Sequence, residues 1–164
     1  MGAAKCISCN LIEVNGIAHT VLSVTNVVTS RKFYEPLLTF LGMKKVADGE
    51  TGFYFVGGRT AIGVMACAPE HQSAGFDQQR VGLHHLCFRA KSRADVDAVY
   101  EYLKEKQTTI IQPAQDGEWA PGYYSVLFED PDQIRLEVNF VPGKGLLGED
   151  VAFKPAGYKG WKPV

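Results

Sequence analysis

The sequence predicts an α+β protein built from two tandem β-α-β-β-β modules, and three observations carry that expectation. A histidine-bearing segment occurs twice, the order of hydrophobic periodicities repeats behind each copy, and 164 residues suit one compact unit or two small fused halves. The first copy is Gly16-Ile17-Ala18-His19-Thr20-Val21-Leu22-Ser23-Val24, and the second is Gly82-Leu83-His84-His85-Leu86-Cys87-Phe88-Arg89-Ala90. His19 and His85 stand 66 positions apart, and the same offset carries Tyr34-Glu35 onto Tyr100-Glu101 and Leu37 onto Leu103. Agreement at one offset in two separate places marks a tandem duplication.

Each half then reads in the same order. Residues 16–24 alternate apolar and polar and are rich in β-branched types, which predicts a strand. Phe33, Leu37, Leu38 and Leu41 recur at helical spacing, so a helix is expected from a cap at Thr29 or Ser30 to Leu41, stopped by Gly42. Pro36 falls inside it, as a kink or a first-turn residue. Short strands are expected near 43–47, 52–56 and 60–67, with turns at Asp48-Gly49 and Gly57-Gly58. In the second half a strand is expected over 83–90, a helix from a Ser92 cap to Lys106, and strands near 109–112, 123–129 and 134–141. Pro113 to Gly122 is expected to be a loop. The boundaries that follow are an N-terminal arm at 1–13, modules at 14–67 and 81–141, a polar linker at 68–80 and a C-terminal arm at 142–164.

Composition excludes several functions. Lys and Arg number 17 against 18 Asp and Glu, so no basic face is expected for nucleic acid. The apolar runs fall far short of the roughly 20 residues a membrane span needs. No apolar stretch of signal-peptide length opens the chain, so the expected location is the cytoplasm, with Cys6, Cys9, Cys67 and Cys87 reduced. Cys6-Ile7-Ser8-Cys9 stands without a second such pair and is read as an incidental part of the arm. Cys67 and Cys87, in apolar strands, are read as core residues.

The chemistry is expected at the duplicated histidines. One histidine in an apolar strand is ordinarily a hydrogen-bonded core residue, but packing alone does not favour a polar ring twice at equivalent places. His19 and His85 are therefore read as metal ligands. Glu137, in Ile134-Arg135-Leu136-Glu137-Val138-Asn139-Phe140, shares a face with Arg135 and Asn139 by alternation, opposite Leu136 and Val138. Burying such a carboxylate is costly unless it is paired or bound to metal. Two histidines and one carboxylate leave open positions on a divalent metal, typically Fe2+.

Gly16-x-x-His19, Gly82-x-His84-His85-x-x-Phe88 and Phe128-Glu129-Asp130-Pro131-Asp132-x-x-x-Leu136-Glu137 together resemble the vicinal oxygen chelate superfamily. That group includes glyoxalase I, methylmalonyl-CoA epimerase, extradiol dioxygenases, fosfomycin-resistance enzymes and bleomycin-resistance proteins. The resemblance spans residues 14–141 and implies that the two modules form a half-barrel around a divalent metal (Fe2+, Mn2+, Zn2+, Ni2+ or Co2+). It implies a small oxygen-rich substrate that chelates the metal, and a homodimer in which the site lies within one chain or across two. His85-Leu86-Cys87-Phe88 matches the family's ligand position, which leaves His84 pointing to the opposite face in a structural role or as a support behind the ligands. Gly63 stands where glyoxalase I and the epimerase carry a fourth ligand, so a three-ligand site is expected. The histidine and tyrosine that extradiol dioxygenases use for acid–base work have no clean match in 119–127.

Two catalytic residues are expected: Glu137, as a ligand that leaves the metal to shuttle a proton, and Tyr124, alternating with Val126 and Phe128, as a proton donor or substrate contact. Tyr54, Arg59 and His71 are weaker candidates, read first as surface or packing residues. The expected function is a metal-dependent dioxygenase, isomerase or lyase. The alternative is a metal-independent protein that sequesters a small molecule, as bleomycin-resistance proteins do.

Overall fold

A computed structural model describes residues 16–143. The Cys6/Cys9 pair and nearly all of both arms lie outside the described residues. The first module runs β1 (His19–Val24), α1 (Val27–Phe40), β2 (Lys44–Gly49), β3 (Gly52–Val56) and β4 (Ala61–Ala66). The second runs β5 (Leu86–Arg89), α2 (Arg93–Glu105), β6 (Ile110–Asp116), β7 (Tyr124–Glu129) and β8 (Arg135–Phe140). Between them lies a single 3-10 turn, Pro69–His71. The two sheets have equivalent orders, β1-β4-β3-β2 and β5-β8-β7-β6, and the crossover helix leaves β1 parallel to β4 and β5 parallel to β8. The expected fold class is the one observed.

Local chemistry explains the boundaries. Asn26, not Thr29 or Ser30, caps α1: its side chain accepts from Thr29 N at 3.0 Å, and Ser30 is buried one turn in. Asn26 lies ahead of the apolar stripe, so the stripe alone placed the start too late. Gly42, at φ 78°, ends the helix. Ser92 caps α2 as expected, accepting from Asp95 N at 3.1 Å. β6 runs through Pro113 to Asp116, where a loop was expected; it is an edge strand with two register shifts, and an edge tolerates proline. β2 also extends through Gly49, which moves the turn to Glu50-Thr51.

One core joins the modules. It takes Leu22, Val24, Phe53, Phe55, Ile62 and Val64 from the first sheet and Val126, Phe128, Leu136 and Val138 from the second, with Tyr34, Leu37, Val96 and Leu103 from the helices. The two halves therefore meet through the sheet faces that carry the helices. Phe40 stacks on Tyr102 at 4.4 Å across this seam. The Asp130-Pro131-Asp132 turn locks it: Tyr34 donates to Asp130 at 2.8 Å, Thr25 N donates to Asp132 at 2.9 Å, and the Thr25 hydroxyl also bonds Asp132. A cleft of about 710 Å³ opens between the modules beside Leu41, Met43, Ile62, Phe88 and Val138, and neither His19, His85 nor Glu137 lines it.

The other face of each sheet has no helix over it. On the first sheet it carries His19, Val21, Tyr54, Gly63 and Met65, with Val21 45% and Met65 51% exposed. On the second it carries Cys87, Ser125, Glu137 and Asn139. No described helix is long and apolar enough to cross a membrane.

Candidate metal centre

Strand register brings the second module's candidates together. Leu136 and Val138 enter the core, so β8 turns Glu137 and Asn139 to the open face, and Cys87 pairs with Glu137 across β5–β8. His85 immediately precedes β5, and its Nε2 lies 3.3 Å from Glu137 Oε2. Two donors each about 2.0–2.2 Å from one cation stand about 3.0–3.4 Å apart for ordinary bond angles, so this pair fits a shared divalent metal. Imidazole nitrogen and carboxylate oxygen are also the donor types such ions take.

Glu137 is buried and hydrogen-bonded. Tyr123 donates to its Oε1 at 2.7 Å, and Asn139 Nδ2 donates to the Tyr123 hydroxyl at 3.0 Å. Burial alone would raise the carboxyl's pKa; hydrogen bonds from His85, Tyr123 and Ser125 outweigh it and hold the group below its ordinary range. The site thus keeps a buried carboxylate anionic.

His85 is braced from the other side. Its Nδ1 lies 2.8 Å from His84 Nδ1, which Gln78 Nε2 also reaches at 3.1 Å. Desolvation, with smaller contributions from His85 and Arg135, lowers the His84 pKa, so that ring is neutral at pH 7 and free to accept. His85 Nε2 donates to Glu137 here; a divalent metal held between the two would take that nitrogen's lone pair, and Nδ1 would then be the ring's donor, toward His84. His84 is therefore a partner of His85, not a residue of the opposite face.

The structure does not bring His19 to this pair. His19 is exposed on the open face of the first sheet, and no group of three potential ligands forms among the described residues. Tyr124 is also elsewhere. It packs on the helix side, where its hydroxyl donates to Asp97 at 2.6 Å and the Arg93 guanidinium lies 3.8 Å from its ring centre. Alternation with Val126 and Phe128 does send it inward, but to the core and away from Glu137. The tyrosine on Glu137's face is its neighbour, Tyr123. Cys87 is exposed on that same face, contrary to the core role expected of it. His71 and Arg59 are exposed. Tyr54 lies against Gly63, so close that a Cβ on Gly63 would stand 2.9 Å from its ring.

Sequence reasoning passes over Tyr123 and Ser125, and gives Asn139 a face but no role. Pairing β7 against β8 would have found them, because residues opposite Glu137's strand face alternate as 123, 125 and 127.

Comparison with known proteins agrees with this architecture. The model of the Glyoxalase/Bleomycin resistance protein/Dioxygenase superfamily matches residues 16–138. Protein YqjT of Bacillus subtilis (strain 168) is 30% identical over 124 residues, 73% of this chain and 94% of YqjT. The metallothiol transferase FosB of Staphylococcus epidermidis is 27% identical over 126 residues, 77% of this chain and 84% of FosB. A glyoxalase candidate from Bacillus halodurans superposes with a TM-score of 0.69 at 29% identity, covering 77% of this chain and 96% of that one. Lactoylglutathione lyase from Agrobacterium tumefaciens superposes at 0.59 with 20% identity, over 82% of this chain and 98% of its own, a likeness of fold.

Proposed function

The chain belongs to the Glyoxalase/Bleomycin resistance protein/Dioxygenase superfamily, and on that premise we propose that it is a divalent-metal enzyme of the transferase or lyase kind, with each site shared between two subunits. His85 and Glu137 of one subunit and His19 of the partner subunit hold the metal. The observation that carries this reading is the contrast between a His85–Glu137 pair at 3.3 Å and a His19 left exposed on the uncovered face of the same chain. Two open sheet faces, one edged with Val21 and Met65, are what a second copy would cover.

The bound metal would supply Lewis-acid stabilisation of an anionic oxygen on a small, oxygen-rich substrate. The chain's own residues do the rest. Glu137, kept ionised, offsets part of the metal's charge, and His84 and Tyr123 orient the two ligands. Arg89, exposed on the same face and in no ion pair among the described residues, offers a cation to an anionic substrate group. Transfer or elimination is favoured over ring cleavage because the metallothiol transferase FosB is a relative at 27% identity and the acid–base pair of extradiol dioxygenases finds no match here.

Metal analysis of two variants and their mixture tests the reading. His19→Ala and Glu137→Ala should each lose the metal of about one per chain expected of the wild type. Unfolded together and refolded as a mixed dimer, they should regain one intact site in two, because one interface then holds all three native ligands. A mixture as empty as its parents would end the shared site. Wild-type protein without stoichiometric metal, purified without chelator, would favour the sequestering alternative.

A further inference from the structure

The hydrogen bonds behind Glu137 run in one direction. Its carboxylate only accepts, so the Tyr123 hydroxyl at 2.7 Å is the donor. That oxygen is then the acceptor for Asn139, which must present Nδ2, at 3.0 Å. Turning the amide over would set two acceptors on one proton. The orientation has a cost: Asn139 Oδ1 is buried and has no hydrogen-bond partner among the described residues. The fold thus leaves a buried carbonyl orphaned while the amide nitrogen fixes the tyrosine. Tyr123 itself is well placed for this, since the turn that carries it is closed by Tyr123 N to Ala120 O at 3.0 Å and by Gly117 N to Tyr123 O at 2.9 Å.

We propose that Tyr123 is a positioning residue for Glu137: by occupying Oε1 it makes the carboxylate a one-oxygen ligand through Oε2, with Asn139 setting the direction of the hydroxyl. This rests on the metal reading above. Both oxygens of an unbraced carboxylate are free to close on a cation, and a two-oxygen grip would fill a position that substrate needs. Ring packing against Trp119, Ala120 and Val141 is the competing role for Tyr123, and it needs no hydroxyl.

Co2+ binding by the full chain separates the two. Tyr123→Phe keeps the ring and removes the donor. Its affinity for Co2+ should fall about 10- to 100-fold. Its visible Co2+ absorption should weaken and shift toward a higher coordination number, and the metal-free melting temperature should fall, because Glu137 Oε1 and Asn139 Nδ2 lose their buried partner. Asn139→Ala, which also deletes the orphaned carbonyl, should show the same spectral shift with a smaller loss of affinity. Tyr123→Phe with wild-type affinity and spectrum would overturn this inference alone. Wild-type protein that takes up no Co2+ would end the metal reading, and this inference with it.

Discussion

At equivalent places in the two sheets, Val21 pairs with Gly63 and Cys87 pairs with Glu137. The duplication is therefore faithful in register and unequal in chemistry. The second module surrounds its ligand with Tyr123, Ser125, Asn139 and His84, whereas His19 in the first has no hydrogen bond among the described residues. Where the second module has a carboxylate, the first has the Tyr54 ring lying on a glycine. One half holds its candidate ligands in a hydrogen-bonded frame; the other presents its candidate, His19, from a bare surface. On the proposed reading, a site divided that way would form only when a second copy arrives, and metal uptake and dimer formation would be one event.

The sharpest test of this asymmetry is made without metal. Glu137→Ala and His19→Ala should both abolish metal binding, yet they should differ in the metal-free protein. Removing Glu137 strands the Tyr123 and Ser125 hydroxyls, a loss of about 1–3 kcal/mol for buried groups left unpaired. His19→Ala should leave the melting curve unmoved, because nothing in its own chain depends on that ring. Equal melting curves for the two variants would break the comparison.

Gly63 sharpens it from the other side. Gly63→Glu restores a carboxylate at the register of Glu137, but its Cβ would stand 2.9 Å from two Tyr54 ring atoms and 3.1 Å from Val21 Cγ2. The ring must move, and overpacking of this kind costs about 1–3 kcal/mol. Combined with Tyr54→Ala, the same substitution should recover that loss and bind metal more tightly than wild type, read by denaturant melts and metal titration. A stable single variant would mean that the ring, not the backbone, is what yields there.

How far the sequence goes follows the same line. The 66-residue offset located both histidines, and alternation around Leu136 and Val138 put Glu137 on the right face, because both are properties of single strands. Gly63 is singled out only by the resemblance, which places a fourth ligand there; its register opposite Val21, matching Glu137 opposite Cys87, is a property of the sheets. The partners were not legible. Tyr123 meets Glu137 through a pairing between β7 and β8, and His84 meets His85 through a bend ahead of β5, neither of which a strand's own period records. That His19 would stand apart was equally hidden, since it depends on the helix-bearing faces packing together within one chain.

Tyr124 makes the smallest prediction and the most discriminating one. Alternation alone sends it inward, but inward has two meanings in this sheet. The β7–β8 register shows two inward directions: Val126 lies opposite Val138 in the core, and Ser125 opposite Asn139 on the open face. Tyr124 follows Val126 and bonds Asp97 on α2. Tyr124→Phe should thus leave metal affinity and the Co2+ spectrum unchanged and lower the melting temperature slightly, whereas Tyr123→Phe should change all three. Two adjacent tyrosines, each losing only a hydroxyl, then report on opposite faces of one strand. If Tyr124→Phe weakened metal binding as much as Tyr123→Phe, the division of the second sheet into a core face and a metal face would be wrong.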